Sequence, residues 1–376
     1  MKTRVCMISL LLTAAMLLSL GACGGGQASQ PSKTPDSSAP DHSAEGGDEV
    51  YSLVLTTHDA STTTKADTLN AWAADLEEKS GGRLHIELYY GGTIASAADS
   101  MDVVGQGGAD MCWTTVPLNG SKFKYCNVFA CYGEEITNTM QATYALIKLA
   151  QENADIVSEY ENHNLKLIAI HAMTPCNIGS ATTKFETIED FNGASVMAIS
   201  KTNIDILEGL GAAPMGIVVS DLYENFSKHV SETFLGDALL YQSTNSYEHI
   251  KYMNEYNFST CIGFLAMNMD KYNSLPADLQ ELLDGEFESL SLAFAQNVND
   301  GYLEFVDLMD ERGIEIYELS PELLSKVEEL IQTEVHDVWV ADCEADGVAT
   351  APISDAIEKY LAEGYEIYGA EYDWYK

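Results

Sequence analysis

Apolar residues recur along this chain with two spacings, one of about two residues and one of about three and a half. Val50–Leu55 reads as a strand, and Leu84, Ile86 and Leu88 alternate with polar neighbours as a second. Ala109–Trp113, Leu165–His171, Ser195–Ile199 and the stretches near 213–218 and 230–234 are further short strands. Between them, Ala66, Leu69, Trp72, Ala73 and Leu76 fall on one helical face that Gly81-Gly82 terminates. Helices are also predicted over about 97–106, 137–159, 202–210 and 220–228. Thr187-Ile-Glu-Asp190 has the spacing of a capping box, opening one turn that Gly193 closes. From Ser274-Leu-Pro276, with Pro at the first helical position, the pattern stays helical to Arg312-Gly313. That run is either two helices or one long element spanning two domains. Ser320-Pro321 opens a further helix of about 20 residues. Strands alternating with helices predict an α/β fold with parallel or mixed sheets covered by helices.

The N-terminus follows a different pattern. Lys2 and Arg4 precede an apolar run, Val5–Leu20, too short for a comfortable membrane span. Leu20-Gly21-Ala22-Cys23 resembles the bacterial lipobox, where the cysteine is acylated and becomes the new N-terminus. The alternative is an ordinary secretory signal with an incidental Cys23. Residues 24–49 are Gly, Ser, Pro, Ala, Gln and Asp with almost no large apolar side chain, so they cannot bury enough surface to fold. The expectation is a signal peptide over 1–22, a lipid on Cys23, a flexible tether over 23–49, and an extracytoplasmic protein anchored to the cell membrane.

Composition changes the picture in three ways. The formal charge is −39, and the segment 1–22 holds two of the basic residues and none of the acidic ones, so the mature chain is more acidic still. Such a charge excludes nucleic acid as a partner and, apart from the lipid, anionic membrane surfaces. Beyond residue 22 the only arginines are Arg83 and Arg312. The six cysteines after Cys23 match no zinc or C-x-x-C spacing; Cys126 and Cys131 are close enough to bridge across a turn or to remain thiols.

Several segments, in order, resemble a known family. They are E-E-K-S-G-G-R-L-H-I-E-L-Y at 77–89 followed by G-G-T-I, G-G-A-D-M at 107–111, and T-I-E-D-F-N-G at 187–193. L-G-A-A-P-M at 210–215 leads into S-D-L-Y at 220–223, and Y-E-H-I-K-Y at 247–252 and S-L-P-A-D-L-Q-E-L-L at 274–283 complete the set. Together they are similar to the DctP-type substrate-binding proteins of TRAP transporters (tripartite ATP-independent transporters). The resemblance implies two α/β domains joined by a hinge, of periplasmic-binding-protein type. Residues 50–173 with about 264–300 would form one domain, and 174–263 with about 301–376 the other. It also implies strands near 172–178 and 258–268 that cross between the domains, a long helix bracing both, and a cleft that closes on a small molecule and delivers it to the membrane permease subunits. No cofactor and no metal is implied.

The chain departs from that family where the ligand is gripped. The family's usual arginine, which pairs with a substrate carboxylate, matches Met197 here, and a second matches a position near Cys176. Arg83 falls at a helix-to-strand joint and Arg312 at the end of the long helix, so no shift of register restores the fork; Lys184 or Lys201 would supply only a point charge. The family's D-G is replaced by Glu232-Thr233, and Gly236-Asp237 falls near its polar Asn position. The candidate ligand-binding residues are therefore His58, Trp113, Cys176, Met197 and Asp237. Trp113 would offer a ring face and Asp237 a partner for a ligand cation, which favours a neutral or amine-bearing ligand over a simple organic acid. Each also has a structural reading, Trp113 as core packing and Asp237 as a solvated loop acid.

No G-x-S-x-G, H-E-x-x-H, phosphate loop or dinucleotide fingerprint is present, and His58, His171, His229 and His249 are scattered, so no enzyme is expected. The remaining alternatives are a binding lipoprotein of an ABC importer and a ligand sensor for a membrane receptor.

Overall fold

The computed structural model describes residues 49–372 and Trp374. The expected signal peptide, Cys23 and all but the last residue of the tether lie outside the described residues. Among the described residues, no helix is long and apolar enough to cross a membrane.

Among the described residues ten strands form the frame: β1 (Tyr51–Thr57), β2 (Leu84–Tyr89), β3 (Met111–Thr115), β4 (Leu165–Ser180), β5 (Ser195–Ala198), β6 (Ala213–Gly216), β7 (Thr233–Asp237), β8 (Tyr252–Asn254), β9 (Thr260–Asn268) and β10 (Glu315–Tyr317). Their order is β2-β1-β3-β9-β4-β7-β5-β6, with β8 joining β10 to β4. The two ends are alike. In one half β1 pairs in parallel with β2 and β3; in the other β5 pairs in parallel with β6 and β7. Antiparallel β9 and β4 lie between them. Helices cover the sheets, as expected for parallel strands whose apolar residues need shelter on both faces. This is the two-part α/β architecture expected from the sequence.

β4 is the joint. It pairs with β9 from Leu165 to Pro175 and with β7 from Cys176 to Ser180. Its side chains are buried almost throughout, and past His171 the buried positions include the polar Thr174, Asn177 and Ser180. The expected strand at 165–171 and the crossing segment near 172–178 are one element.

The helix expected over 137–159 is two helices, Thr139–Glu152 and Ala154–Glu161. Asn153 between them is extended, and its side chain caps the second by accepting from the Asp155 amide. The run from Ser274 divides similarly. Pro276 sits before the helix Ala277–Gly285 as its cap, one residue earlier than expected, and a new helix runs from Phe287 to Arg312. That 26-residue helix stops at Gly313, whose φ of 68° is left-handed. Its first half buries Leu290 and Phe294 with Leu53 and Trp113. Its second half buries Val298, Tyr302 and Phe305 with Phe234 and Leu239. At Gly301 it crosses closely, since a Cβ there would sit 3.3 Å from Thr64 and 3.6 Å from Leu239. The long helix therefore braces both halves.

Thr187 caps the turn Ile188–Phe191 with the reciprocal Asp190 bond that its spacing predicts. The helix opening at Pro321 runs to Leu330, loosens into a π turn over Ile331–His336, and continues over Asp337–Ala345. A last helix, Ala351–Tyr372, was not expected from periodicity. Cys126 and Cys131 are free thiols. Both lie on one short 3-10 helix, Cys126–Tyr132, where the Cys126 sulfur faces the Tyr160 hydroxyl at 3.9 Å.

Candidate ligand-binding site

The carboxyl ends of β1, β3, β5 and β7 open on one cavity of about 200 Å³. Crevices at the carboxyl ends of parallel strands are the general place for ligands in such sheets. The loop after β1 supplies His58 and Asp59, the helix Thr64–Lys79 supplies Lys65, and β3 supplies Trp113. β4 and β9 contribute Met173, Cys176 and Cys261, and the second half closes the space with Ile199, Ser200, Asp237 and Leu240. About 150 Å³ of apolar space suffices to hold benzene, so this cavity suits a solute of one ring or similar size.

Asp237 is the last residue of β7, opposite Cys176 in the sheet. Its Oδ1 accepts from the Leu239 amide at 3.1 Å, while Oδ2 is buried and has no hydrogen-bond partner. Burial pushes its carboxyl up to about 6; the Lys65 ammonium, Thr174 and the Leu239 amide counter part of that push. An unpaired buried carboxylate oxygen is costly, and a donor entering the cavity would relieve it.

Lys65 was not singled out from the sequence. Thr63 caps the helix by accepting from the Ala66 amide, which puts Lys65 in the first turn, facing back over the sheet. It is only 7% exposed. Its ammonium lies 3.4 Å from Asp59 Oδ1 and 4.8 Å from the Trp113 ring centre. The available signal was position: a lysine in the first turn after a β1 that ends at the ligand edge. Among the described residues it is the one Lys or Arg lining the cavity.

Trp113 borders the cavity yet is fully buried. Its Nε1 donates to His171 Nε2 at 3.1 Å, and the His171 ring stacks in turn on Phe294. The expected ring face for a ligand cation is thus occupied by the protein's own ammonium. His58 lies 5.5 Å from the same ring, its Nδ1 is unpartnered, and burial lowers its pKa. The formal charges of Lys65, Asp59 and Asp237 leave the cavity with an excess of one negative charge.

Four of the five residues expected at the site, His58, Trp113, Cys176 and Asp237, meet in this cavity. Met197 does not. It is fully buried between Phe234 and Met215 in the sheet and packs with Leu222 and Phe226, because β5 reaches the cavity only past its end, at Ile199 and Ser200. The two described arginines are elsewhere: Arg83 pairs with Asp278, and Arg312 lies over Tyr247. Lys184 pairs with Glu315 and Lys201 with Asp205, both away from this space. His171 supports Trp113 from beneath, while His229 pairs with Glu232 on the surface and His249 packs on Tyr223 and Phe226. Among the described residues no group of three or more His, Cys, Asp or Glu is placed to hold a metal.

Residues 55–342 match the family described as bacterial extracellular solute-binding protein, family 7 (DctP). The fold is similar to that of a TRAP solute-binding protein from Desulfovibrio salexigens, an open complex with the C-terminus of a symmetry mate in its ligand-binding site. The identity is 21%, 84% of this chain and 97% of that one are covered, and the TM-score is 0.72. A TRAP solute-binding protein from Rhodoferax ferrireducens, in complex with copurified benzoate, is 19% identical over 85% of this chain and 99% of that one, with a TM-score of 0.76. One from Bordetella bronchiseptica, with bound (R)- and (S)-mandelate, is 17% identical over 84% and 99%, with a TM-score of 0.75. At these identities the structural likeness speaks for the fold alone.

Proposed function

This chain belongs to the bacterial extracellular solute-binding proteins of family 7, and from that premise we propose that it is the lipid-anchored solute-capturing component of a TRAP transporter. Cys23 carries the lipid, and the segment to residue 49 lets the folded part turn above the membrane. The two α/β halves close on a small molecule, and the closed form docks on the permease subunits. His58, Trp113, Cys176 and Asp237 form the ligand cavity with Lys65.

The ligand is a neutral or amine-bearing solute, not a simple carboxylate held by arginine. One observation carries this: the Asp237 Oδ2 oxygen is buried against the cavity with no partner, in a space that, among the described residues, no arginine lines. An organic anion would meet two carboxylates and a lysine already engaged with Asp59, and would leave its own charge poorly paired. The relatives' acids, benzoate and mandelate, are therefore not carried over.

A thermal-shift screen of the purified protein against matched amines, polyols and monocarboxylates tests the ligand class. Amines or neutral donors should raise the unfolding midpoint; stabilisation by monocarboxylates alone overturns it. For the anchor, Cys23→Ala should release the protein from the membrane fraction, and unchanged membrane association would refute a lipid at that residue.

A further inference from the structure

Cys176 and Cys261 bring their sulfurs within 3.8 Å at the cavity wall. Cys176 is fully buried, at the residue where β4 leaves β9 and takes up β7. Cys261 is partly exposed, the second residue of β9, and borders both the cavity and a larger groove of about 830 Å³ beside it. The strands run antiparallel here, with Pro175 opposite Thr260 and the Cys176 amide donating to the Ser259 carbonyl at 3.1 Å. The two cysteines are thus diagonal neighbours on one face, with sulfurs 3.8 Å apart where a disulfide needs about 2.05 Å, so closing the bond draws β4 and β9 together at this point.

We propose that Cys176 and Cys261 are a modification site, oxidised to a disulfide by exchange with a low-molecular-weight disulfide, and that this bond ties the changeover point of β4 to the start of β9. The Cys261 thiolate attacks one sulfur of the small disulfide, whose S–S bond breaks and releases one thiolate. The Cys176 thiolate then attacks the Cys261 sulfur, and the second small thiolate leaves. The two cysteines lose two electrons to the reagent, and their two protons end on the two released thiols. Cys261 must react first, because a reagent can reach it from the cavity or the groove while Cys176 is covered.

The hydrogen bond to Cys176, then burial, hold the Cys261 thiol well above its ordinary pKa. Exchange is therefore slow near neutrality and speeds about tenfold per pH unit while the thiolate is the minor form. The site asks for no particular solute, and its test is independent of the transport reading.

The folded full-length protein is incubated with bis(2-hydroxyethyl) disulfide, its remaining thiols are alkylated, and unreduced peptides are mapped by mass spectrometry. A Cys176–Cys261 cross-linked peptide is expected, forming about tenfold faster at pH 8.5 than at 7.5. The unfolding midpoint should rise and return on treatment with dithiothreitol. Cys261→Ser should leave Cys176 unmodified, whereas Cys176→Ser should stop at the mixed disulfide on Cys261. The proposal is overturned if wild-type Cys261 stays free, or if it keeps only the small-molecule adduct while Cys176 remains a thiol. The wild-type map decides this even where a variant folds poorly.

Discussion

The ammonium of Lys65 stands 4.8 Å from the centre of the Trp113 ring and 3.4 Å from Asp59 Oδ1, so the cavity already holds a cation where an incoming amine would otherwise rest. Replacing it by Lys65→Met keeps most of the apolar stem and removes the charge. The ring face is then free and the two carboxylates face the ligand without an internal competitor. An amine that binds the parent should bind the variant about tenfold more tightly, in line with a desolvated cation–π contact. Calorimetric titration checks this, run from pH 8 upward because removing the Lys65 ammonium raises the Asp237 carboxyl further. Weaker amine binding would instead make Lys65 a ligand contact.

His171 is buried beneath the same tryptophan, and its own environment fixes its protonation. Nε2 accepts from Trp113, Nδ1 lies 3.0 Å from the Ala172 carbonyl and donates to it, and Gly263 leaves no room for movement. A Cβ at residue 263 would sit 2.5 Å from Nε2. Burial lowers this imidazole to about 3. Between the ordinary histidine value of about 6.5 and that value, the unfolded chain binds a proton that the folded chain refuses, so stability falls as pH drops through this window. The contribution is about 1.4 kcal/mol per pH unit. Denaturant unfolding at pH 7, 6 and 5 should show it, and His171→Gln should make the slope shallower by one proton while lowering stability at pH 7. An unchanged slope would remove His171 as the source.

How far the sequence reached depends on which residues carried a repeating signal. The strands of both halves were legible because buried parallel strands leave apolar runs, and β4 exceeded its expected length only because the run at 172–180 contains Thr, Pro, Asn and Gly among its buried positions. The break at Asn153 was not legible, and the run from Ser274 reads equally as two helices or one, since neither Asn153 nor Glu286 interrupts the apolar period. His58, Trp113 and Asp237 were nominated through the family resemblance, which implies that the loop after β1, the strand at Trp113 and the segment near Gly236-Asp237 border the cleft. Lys65 was missed since a lysine near a helix start is ordinarily solvated, and nothing local says that its first turn faces inward. Met197 was nominated from a matching segment, and that match does not tell which face of β5 a residue presents.

Glu159 is a buried acid that no local pattern marked. Its carboxylate accepts the amides of Lys124, Tyr125 and Cys126, holding the start of the 3-10 helix Cys126–Tyr132. Glu159→Ala leaves three amides without that acceptor and should cost about 3 kcal/mol, with Glu159→Gln retaining part of it. Urea unfolding of the two variants measures the difference. Equal loss in both would mean that side-chain packing, and not acceptance from the amides, is what Glu159 provides.

Asp237 joins stability to binding with opposite signs. Its carboxyl titrates at about 6 in the folded protein, above the 3.8 of the unfolded chain. The folded state therefore binds the proton more readily, and ionising Asp237 destabilises the protein as pH rises from about 4 to 6, fully so above 6. Asp237→Asn should raise stability at pH 7 by about 1–3 kcal/mol, an advantage that shrinks as pH falls toward 4. The same variant should lose most of its affinity for an amine, whereas the parent should bind that amine more weakly at pH 5 than at pH 7 because the proton competes for Asp237. Thermal unfolding and calorimetric titration across this range read both effects on one pair of proteins. A variant that is more stable yet binds the amine as before would leave the pKa intact and take the ligand away from Asp237.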